Sequence, residues 1–194
     1  MRISKTAAAT LALALSLAAC ASDDVTDVTD DMSAMGDIAS EINDIASEAM
    51  GDMDMGSSAA PRADEVEGAT LRQADFIVLD GAPKGFAGAG GTAFLALDGA
   101  TTLTVDVMGL AADTAVIGHL HAESCATNGG PHFKFDADGG DTPPNEVHIA
   151  ATADDTGSFS ISVTNEMAAT DAMSVVIHAA DGDTTKALCA DLAG

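Results

Sequence analysis

The sequence predicts an all-β domain, an antiparallel sandwich or barrel, behind a disordered or partly helical N-terminal tail. From about Ala69 onward, short runs of alternating apolar and polar residues are separated by Gly, Asp and Pro. The clearest alternations are residues 102–107 and 158–163, as expected for strands with one buried face. No part of this region repeats with a helical period. Seven or so short strands in one domain are typical of a sandwich or a barrel.

The strand candidates lie between turn signals such as Asp80-Gly81, Asp98-Gly99 and Gly139-Gly140. They are residues 70–79, 92–97, 102–107, 115–121, 146–152, 158–163 and 173–178. We divide the chain into a signal peptide (1–19), an acidic tether rich in Met, Ser and Ala (20–67) and the β domain (68–194).

The composition excludes several classes of function. Acidic residues number 31 against 7 lysines and arginines, which gives a net charge of −24. Nucleic-acid binding needs a basic surface that releases phosphate counterions, and attraction to an anionic membrane surface also needs basic residues. Neither is therefore expected. Hydrophobic residues make up 47% of the chain, which is enough for a compact core.

The N-terminus has the pattern of an export signal. Two basic residues precede an apolar stretch over residues 7–17, which is shorter than the roughly 20 residues of a membrane span. The sequence Leu17-Ala18-Ala19-Cys20 resembles the lipobox of bacterial lipoproteins. The resemblance implies cleavage before Cys20, lipidation of Cys20 and export. Since Ala21 replaces the Asp of an inner-membrane retention signal, we expect the outer membrane, facing the periplasm. An ordinary secretory signal is the alternative.

Residues 20–67 are expected to form a flexible, self-repelling spacer. Apolar residues at spacings of three and four also fit an amphipathic helix; they are Val25, Val28, Met32, Met35, Ile38, Ile42 and Ile45. Met50, Met53 and Met55 are closely spaced thioethers, a ligand type that suits Cu(I). Ordinary apolar filling is the preferred interpretation of these methionines.

The cysteines and histidines of the domain carry its chemistry. With Cys20 lipidated, Cys125 and Cys189 remain as an even pair in an oxidising compartment. Two separate buried thiols are the alternative to a disulfide. All five histidines lie in the domain. His119 and His121 alternate on a predicted strand, so both rings share one face and can converge on one metal ion, copper or zinc.

Four motifs in order resemble the copper/zinc superoxide dismutase family. Gly118-His119-Leu120-His121-Ala122-Glu123-Ser124-Cys125 resembles the metal-binding strand of that family, and Gly130-Pro131-His132-Phe133 resembles its next histidine segment. Ser174-Val175-Val176-Ile177-His178-Ala179 and Lys186-Ala187-Leu188-Cys189 resemble its last copper-ligand strand and its closing segment. The resemblance covers roughly residues 69–192, nearly the whole domain.

This resemblance implies a Greek-key β-sandwich of eight strands. It implies that His119, His121, His132 and His178 are copper ligands, and that Cys125 and Cys189 form the internal disulfide of the family. It also implies catalytic roles for two residues: His132 leaves copper and carries a proton, and Lys186 stands where the family has an arginine that positions the substrate anion. Lysine is a mobile point charge without the planar fork of arginine.

Two departures point to the copper-only branch of the family. Between His132 and Val147 the chain lacks the further histidines of a family-like zinc site, so zinc is not expected. His148 is the one remaining candidate ligand, but it alternates out of phase with apolar neighbours and should point away from the core. The long charged loop after the last copper histidine is reduced to residues 179–185. Asp181, Asp183 or Glu123 is expected to supply the carboxylate that orients a ligand histidine.

The resulting expectation is an exported copper-dependent superoxide dismutase. Its partners would be superoxide as substrate, the membrane through the lipid on Cys20, and a copper donor. The alternative is a non-catalytic periplasmic lipoprotein with the same fold that binds or buffers copper, an interpretation favoured by the methionine cluster and the negative charge.

Overall fold

A computed structural model describes residues 54–180 and 185–192, and this part of the chain is an all-β domain. Its eight strands are β1 (Thr70–Val78), β2 (Gly90–Leu97), β3 (Thr101–Met108), β4 (Ala115–His121), β5 (His148–Thr152), β6 (Phe159–Asn165), β7 (Ser174–Ala179) and β8 (Lys186–Asp191). Three short 3-10 turns, Ala63–Glu65, Lys84–Phe86 and Cys125–Thr127, are the helical elements found among the described residues. None of these is long and apolar enough to cross a membrane.

The strands form one nearly closed, barrel-like antiparallel sheet. Its order is β5-β4-β7-β8-β1-β2-β3-β6. The non-consecutive neighbours β3 and β6, β4 and β7, and β8 and β1 require the long crossing connections of a Greek key. The predicted all-β class and the antiparallel barrel are confirmed. The eighth strand, β8, was not among the strand candidates read from alternation, because residues 186–191 carry apolar or small side chains at four consecutive positions.

The core lies inside the barrel and follows the predicted alternation. Leu103 and Val105 on β3 are fully buried, and so is Ile149 on β5. Gly118 on β4 has no room for a side chain, since a Cβ there would lie 2.7 Å from Ile177 and 2.8 Å from Ile149. This glycine therefore lets two large isoleucines fill the barrel beneath the strand that carries His119.

The middle of the outer face of β3 and β6 is buried too, which the alternating pattern does not predict. Thr104 on β3 is fully buried and Ser162 on β6 is 3% exposed. Their hydroxyl oxygens lie 2.7 Å apart, and the Thr104 hydroxyl oxygen accepts a hydrogen bond from the Ala63 amide at 2.8 Å. The cover over these hydroxyls is chain that precedes the first strand.

This covering segment, residues 54–66, forms a strap across the sheet. Ser57 exchanges two backbone hydrogen bonds with Ser162 on β6, and the Met55 carbonyl accepts one from the Ala150 amide on β5. The strap thus joins the two edge strands of the sheet and protects backbone groups that would otherwise be unpaired. Arg62 fastens it further through a bidentate ion pair with Asp106.

The described end of the predicted tether is therefore not a spacer. Residues 54–67 were assigned to the tether because they are acidic and lack alternation, yet they are held on the barrel at several points, with Ala63 buried. The Ser57 and Ala63 amides donate to β6 and β3, so a single peptide segment can be ordered without any pattern of its own. The signal peptide, Cys20, the stripe over residues 25–45, Met50 and Met53 lie outside the described residues.

Candidate metal centre

Four of the five histidines lie on the outer face of three neighbouring strands. His119 and His121 on β4 point away from the core, whereas Leu120 between them faces it and is 1% exposed. Strand β7 pairs with β4 in a register that sets Val176 opposite His119, so His178, two residues on, shares that outer face. Strand β5 sets His148 directly opposite His119. The alternation of side chains along the strands, together with this register, therefore places the four rings on the same face of the sheet.

His132 reaches the same place from a connecting segment. The chain turns back after β4, where the Ala122 amide donates to the Pro131 carbonyl at 3.0 Å and the Phe133 amide donates to the Leu120 carbonyl at 2.8 Å. An isolated bridge pairs His132 with His121. A residue 11 positions beyond His121 is thus held beside it by backbone hydrogen bonds.

The ligand nitrogens of His119, His121, His132 and His178 all lie within 4.8 Å of one another. The Nε2 atoms of His121 and His178 are 3.4 Å apart, and the ring centroids of His119 and His132 are 4.1 Å apart. The three strand histidines are buried, whereas the His132 side chain is 33% exposed. The centre is therefore open to solvent on the side of His132.

Burial keeps His119 and His121 neutral. Burial away from water lowers the pKa of His119 to about 2, and electrostatic repulsion from the neighbouring histidines acts in the same direction. Loss of solvent and the nearby ammonium of Lys186 lower the pKa of His121 to about 3. A neutral imidazole has a free lone pair, so both rings are ready to bind a cation at ordinary pH.

One nitrogen in this centre lacks a partner. His119 Nδ1 is buried and accepts or donates no hydrogen bond among the described residues. A buried polar atom without a partner costs roughly 1–3 kcal/mol, and a bound metal ion would supply the missing contact. Four convergent imidazole nitrogens, one of them unpaired, fit copper or zinc.

Glu146 is the residue of this centre that the sequence did not reveal. Its side chain is 1% exposed, and its Oε2 accepts hydrogen bonds from His132 Nδ1 at 2.9 Å and from His148 Nε2 at 2.7 Å. With Nδ1 donating to Glu146, Nε2 of His132 is left for the other histidines. A second group that could hold a metal consists of His132, Glu146 and His148.

His148 has the outward direction that the alternation predicts. It does point away from the core, opposite in phase to the buried Ile149. However, this outer face is the one that carries His119, and the His148 ring meets the His119 ring edge-on with centroids 4.3 Å apart. In the strand predicted over residues 146–152, Glu146 and His148 alternate onto one face, and that signal could have identified Glu146.

Glu123 does not orient a histidine through a direct hydrogen bond in the described ranges. Its backbone carbonyl accepts from the Ser174 hydroxyl at 2.7 Å, and its carboxylate accepts no hydrogen bond from a histidine there. Asp181 and Asp183 fall among residues 181–184, outside the described part. In the described centre, Glu146 has the orienting position.

The segment between His132 and Glu146 folds on its own side chains. Asn145 closes it: its Oδ1 accepts from the Asp136 amide at 2.7 Å, and its Nδ2 donates to the Asp136 and Gly140 carbonyls at 2.9 and 2.8 Å. Lys134 forms an ion pair with Asp141, which lowers the pKa of Asp141. These contacts order the segment that, in the resemblance, would carry the zinc ligands.

Lys186 is tied to the loop beneath His121. Its ammonium donates to the Asn128 carbonyl at 3.0 Å and to the Gly130 carbonyl at 2.6 Å, and burial lowers its pKa. The same Gly130 carbonyl accepts a hydrogen bond from His121 Nδ1 at 3.1 Å. Lys186 therefore fixes the acceptor that orients His121, in addition to placing a positive charge there.

A disulfide fastens the start of this loop. Cys125 is bonded to the buried Cys189 on β8, with Cα atoms 5.7 Å apart. Since Lys186 is on the same strand, β8 holds the loop at two points. The predicted pairing is present in the structure. A crosslink that closes about 64 residues is worth roughly 4 kcal/mol in the chain-entropy model.

No protein-family model matches this chain, and no curated protein matches it either.

Proposed function

We propose that this chain is an exported copper-dependent superoxide dismutase that converts superoxide to O2 and H2O2. The observation that carries the proposal is the group of four histidines, three of them buried, whose nitrogens lie within 4.8 Å of one another. Copper bound there would supply the redox chemistry, since Cu(II) can oxidise one superoxide to O2 and Cu(I), with two protons from His132 and solvent, can reduce a second to H2O2. The four motifs of the sequence resemblance lie at this same centre.

The four histidines divide into two roles. His119, His121 and His178 are on paired strands and would hold the ion throughout. His132 comes from a loop and its side chain is one-third exposed, so it is the ligand that can leave. Its Nε2 would take up a proton on leaving and give it to the reduced substrate, while its Nδ1 stays hydrogen-bonded to Glu146.

Lys186 supports the use of an anionic substrate. Its charge is close enough to His121 to lower the pKa of that ring, so it would also attract an anion that approaches the open side. Two of its three donors are engaged by carbonyls, which limits Lys186 to a local field and at most one direct hydrogen bond to the substrate.

The proposed location is the periplasmic side of the outer membrane, with a lipid on Cys20. The lipobox-like sequence at residues 17–20 supports this. The disulfide supports it as well, because such bonds persist mainly in oxidising compartments.

The second candidate is a copper-binding lipoprotein without useful turnover. Two observations favour it: the net charge of −24 repels superoxide, and the ammonium of Lys186 is directed at the Asn128 and Gly130 carbonyls. In that case the same four histidines would hold copper, but the ion would react with superoxide once only.

Pulse radiolysis of the copper-loaded full chain separates the two candidates. A dismutase should accelerate superoxide decay in proportion to bound copper, through many turnovers and without a requirement for zinc. His178→Ala should abolish the acceleration, and Ser160→Ala, on the far face beside Asp106, should leave it unchanged. One stoichiometric reaction that then stops would favour copper buffering, and full turnover in His178→Ala would overturn the site.

A further inference from the structure

A buried carboxylate stands between two histidines at the edge of the centre. Glu146 is 1% exposed, its Oε2 accepts both of the hydrogen bonds described above, and its Oε1 has no partner among the described residues. Because burying a charge without partners is costly, the two bonds to Oε2 carry the stabilisation of this group. Each of the two donors, His132 and His148, therefore matters to the position of the carboxylate.

His132 depends on this carboxylate for its orientation. It is the one member of the four-histidine group that does not lie on a strand, and its side chain is the most exposed of them. Glu146 is the only side-chain hydrogen-bond partner that the described residues offer it. A loop side chain loses more freedom on becoming ordered than a packed strand side chain does, so a fixed acceptor has a larger effect here.

His148 is itself held on two sides. Its backbone pairs with His119 across β4 and β5, and its ring lies edge-on to the His119 ring with centroids 4.3 Å apart. Its side chain is 12% exposed. The ring is therefore packed in place, and its Nε2 donates to Glu146 at 2.7 Å, the shorter of the two bonds to Oε2.

From this geometry we infer that His148 is a positioning residue for the metal centre. It anchors Glu146, and through Glu146 it keeps His132 as the tautomer with hydrogen on Nδ1 and a free lone pair on Nε2. The role connects β5, which carries none of the four histidines, to the most exposed histidine of that group. The inference builds on the proposed copper site, but its first test requires no copper.

The first measurement is nitrogen-15 NMR of the histidine rings in the copper-free full chain. We expect His132 to show the Nδ1-protonated tautomer, which is the less common form of a free imidazole. An Nε2-protonated His132 in the unmodified chain would overturn the inference without any variant. This measurement is independent of dismutase activity, so a chain with the expected tautomer and no copper binding would overturn only the proposed function.

Two substitutions then separate hydrogen bonding from packing. His148→Phe keeps a ring against His119 and removes the donor, whereas His148→Gln keeps an amide nitrogen close to the position of Nε2. We expect His148→Phe to lose the single His132 tautomer and to bind Cu(II) about 10–100-fold more weakly, the usual effect of losing an outer partner of a ligand. His148→Gln should restore both.

Folding is checked in each variant by circular dichroism and by titration of free thiols. A folded His148→Phe variant with unchanged tautomer and unchanged copper affinity would overturn the inference. So would a folded His148→Gln variant as impaired as His148→Phe, because the effect would then come from packing and not from the hydrogen bond.

Discussion

Two polar outer faces of the same barrel are buried in different ways. On β3 and β6, the hydroxyls of Thr104 and Ser162 are covered by the strap, and their oxygens hydrogen-bond to each other and to the Ala63 amide. On β4, β5 and β7, the histidines are covered by loops, yet His119 Nδ1 and Glu146 Oε1 have no partner in the described part of the chain. The hydroxyls of the first face have their hydrogen-bond partners within the protein. The second face retains two buried polar atoms that could contact a bound cation.

This difference separates a face that stabilises the barrel from a face that is a candidate for metal binding. Both faces remove polar atoms from water, at a cost that hydrogen bonds normally offset. Where every atom has found a partner, the face stabilises the barrel. Where buried nitrogen and oxygen atoms lack partners among the described residues, the fold keeps a cost that a bound cation can offset.

Of the changes made to the chain at neutral pH, removal of the strap should have the largest effect on stability. A chain that begins at residue 68 loses the backbone bonds of Ser57 in both directions, the bond from Ala150 to Met55 and the bond from Ala63 to Thr104. At about 1 kcal/mol for each hydrogen bond, these four predict a loss of about 4 kcal/mol in the free energy of unfolding. Urea denaturation of chains beginning at residues 54 and 68 measures it.

Copper affinity is the control for that truncation. Because the strap touches β3, β5 and β6 but none of the four histidines, the folded fraction of the shorter chain should bind copper as the longer chain does. Equal stability of the two chains would contradict the assignment of residues 54–66 to the folded domain.

The copper-free protein should lose stability in mild acid, because two buried histidines on the second face resist protonation in the folded state. The pKa values of His119 and His121 are lowered from about 6.5 to about 2 and about 3, so the unfolded chain binds protons below pH 6.5 that the folded chain does not. Stability is therefore complete above pH 6.5 and falls as the pH drops towards 3. The loss is at most about 1.4 kcal/mol per pH unit for each ring.

Thermal melts of copper-free protein from pH 7 to pH 4 measure this dependence. A variant with both His119→Leu and His121→Leu provides the comparison, since only its remaining groups titrate. If the melting temperature of the unmodified chain shows the same pH dependence as that variant, these rings do not titrate as described.

The sequence predicts both faces only in part. Alternation identifies the strands that carry Thr104 and His119, because a period of two is a property of the backbone. It does not reveal that β3 is covered, because the contacts that hold the strap, such as the Arg62–Asp106 ion pair and the bond from Ala63 to Thr104, join residues far apart in the sequence. It misses Glu146 because the carboxylate lies outside the four histidine motifs, and its contact with His132 depends on how a 13-residue segment folds.

A smaller effect is expected from Thr104→Val on the completed face. This change removes a hydroxyl that accepts from the Ala63 amide and contacts Ser162, so two buried groups lose their partner. The free energy of unfolding should fall by about 2 kcal/mol, within the usual range for an unsatisfied buried group. Denaturation measures it, and an unchanged free energy would mean that the strap amide is not held by Thr104.

The smallest expected effect is a gain in stability, on the face that carries the histidines. His119→Leu should stabilise the copper-free protein by about 1 kcal/mol, because it removes a buried nitrogen that has no partner. The same variant should lose its copper site. Denaturation of copper-free protein measures the gain, and a clear destabilisation would indicate that His119 Nδ1 is already satisfied without metal.

The copper centre is tested most directly by a copper titration of the copper-free full chain, followed by electron paramagnetic resonance. We expect one tightly held Cu(II) per chain with hyperfine structure from several nitrogen ligands, unaffected by excess zinc and lost in His121→Ala. Cu(II) binding that does not saturate, or the same spectrum in a folded His121→Ala variant, would show that these histidines do not form the copper centre.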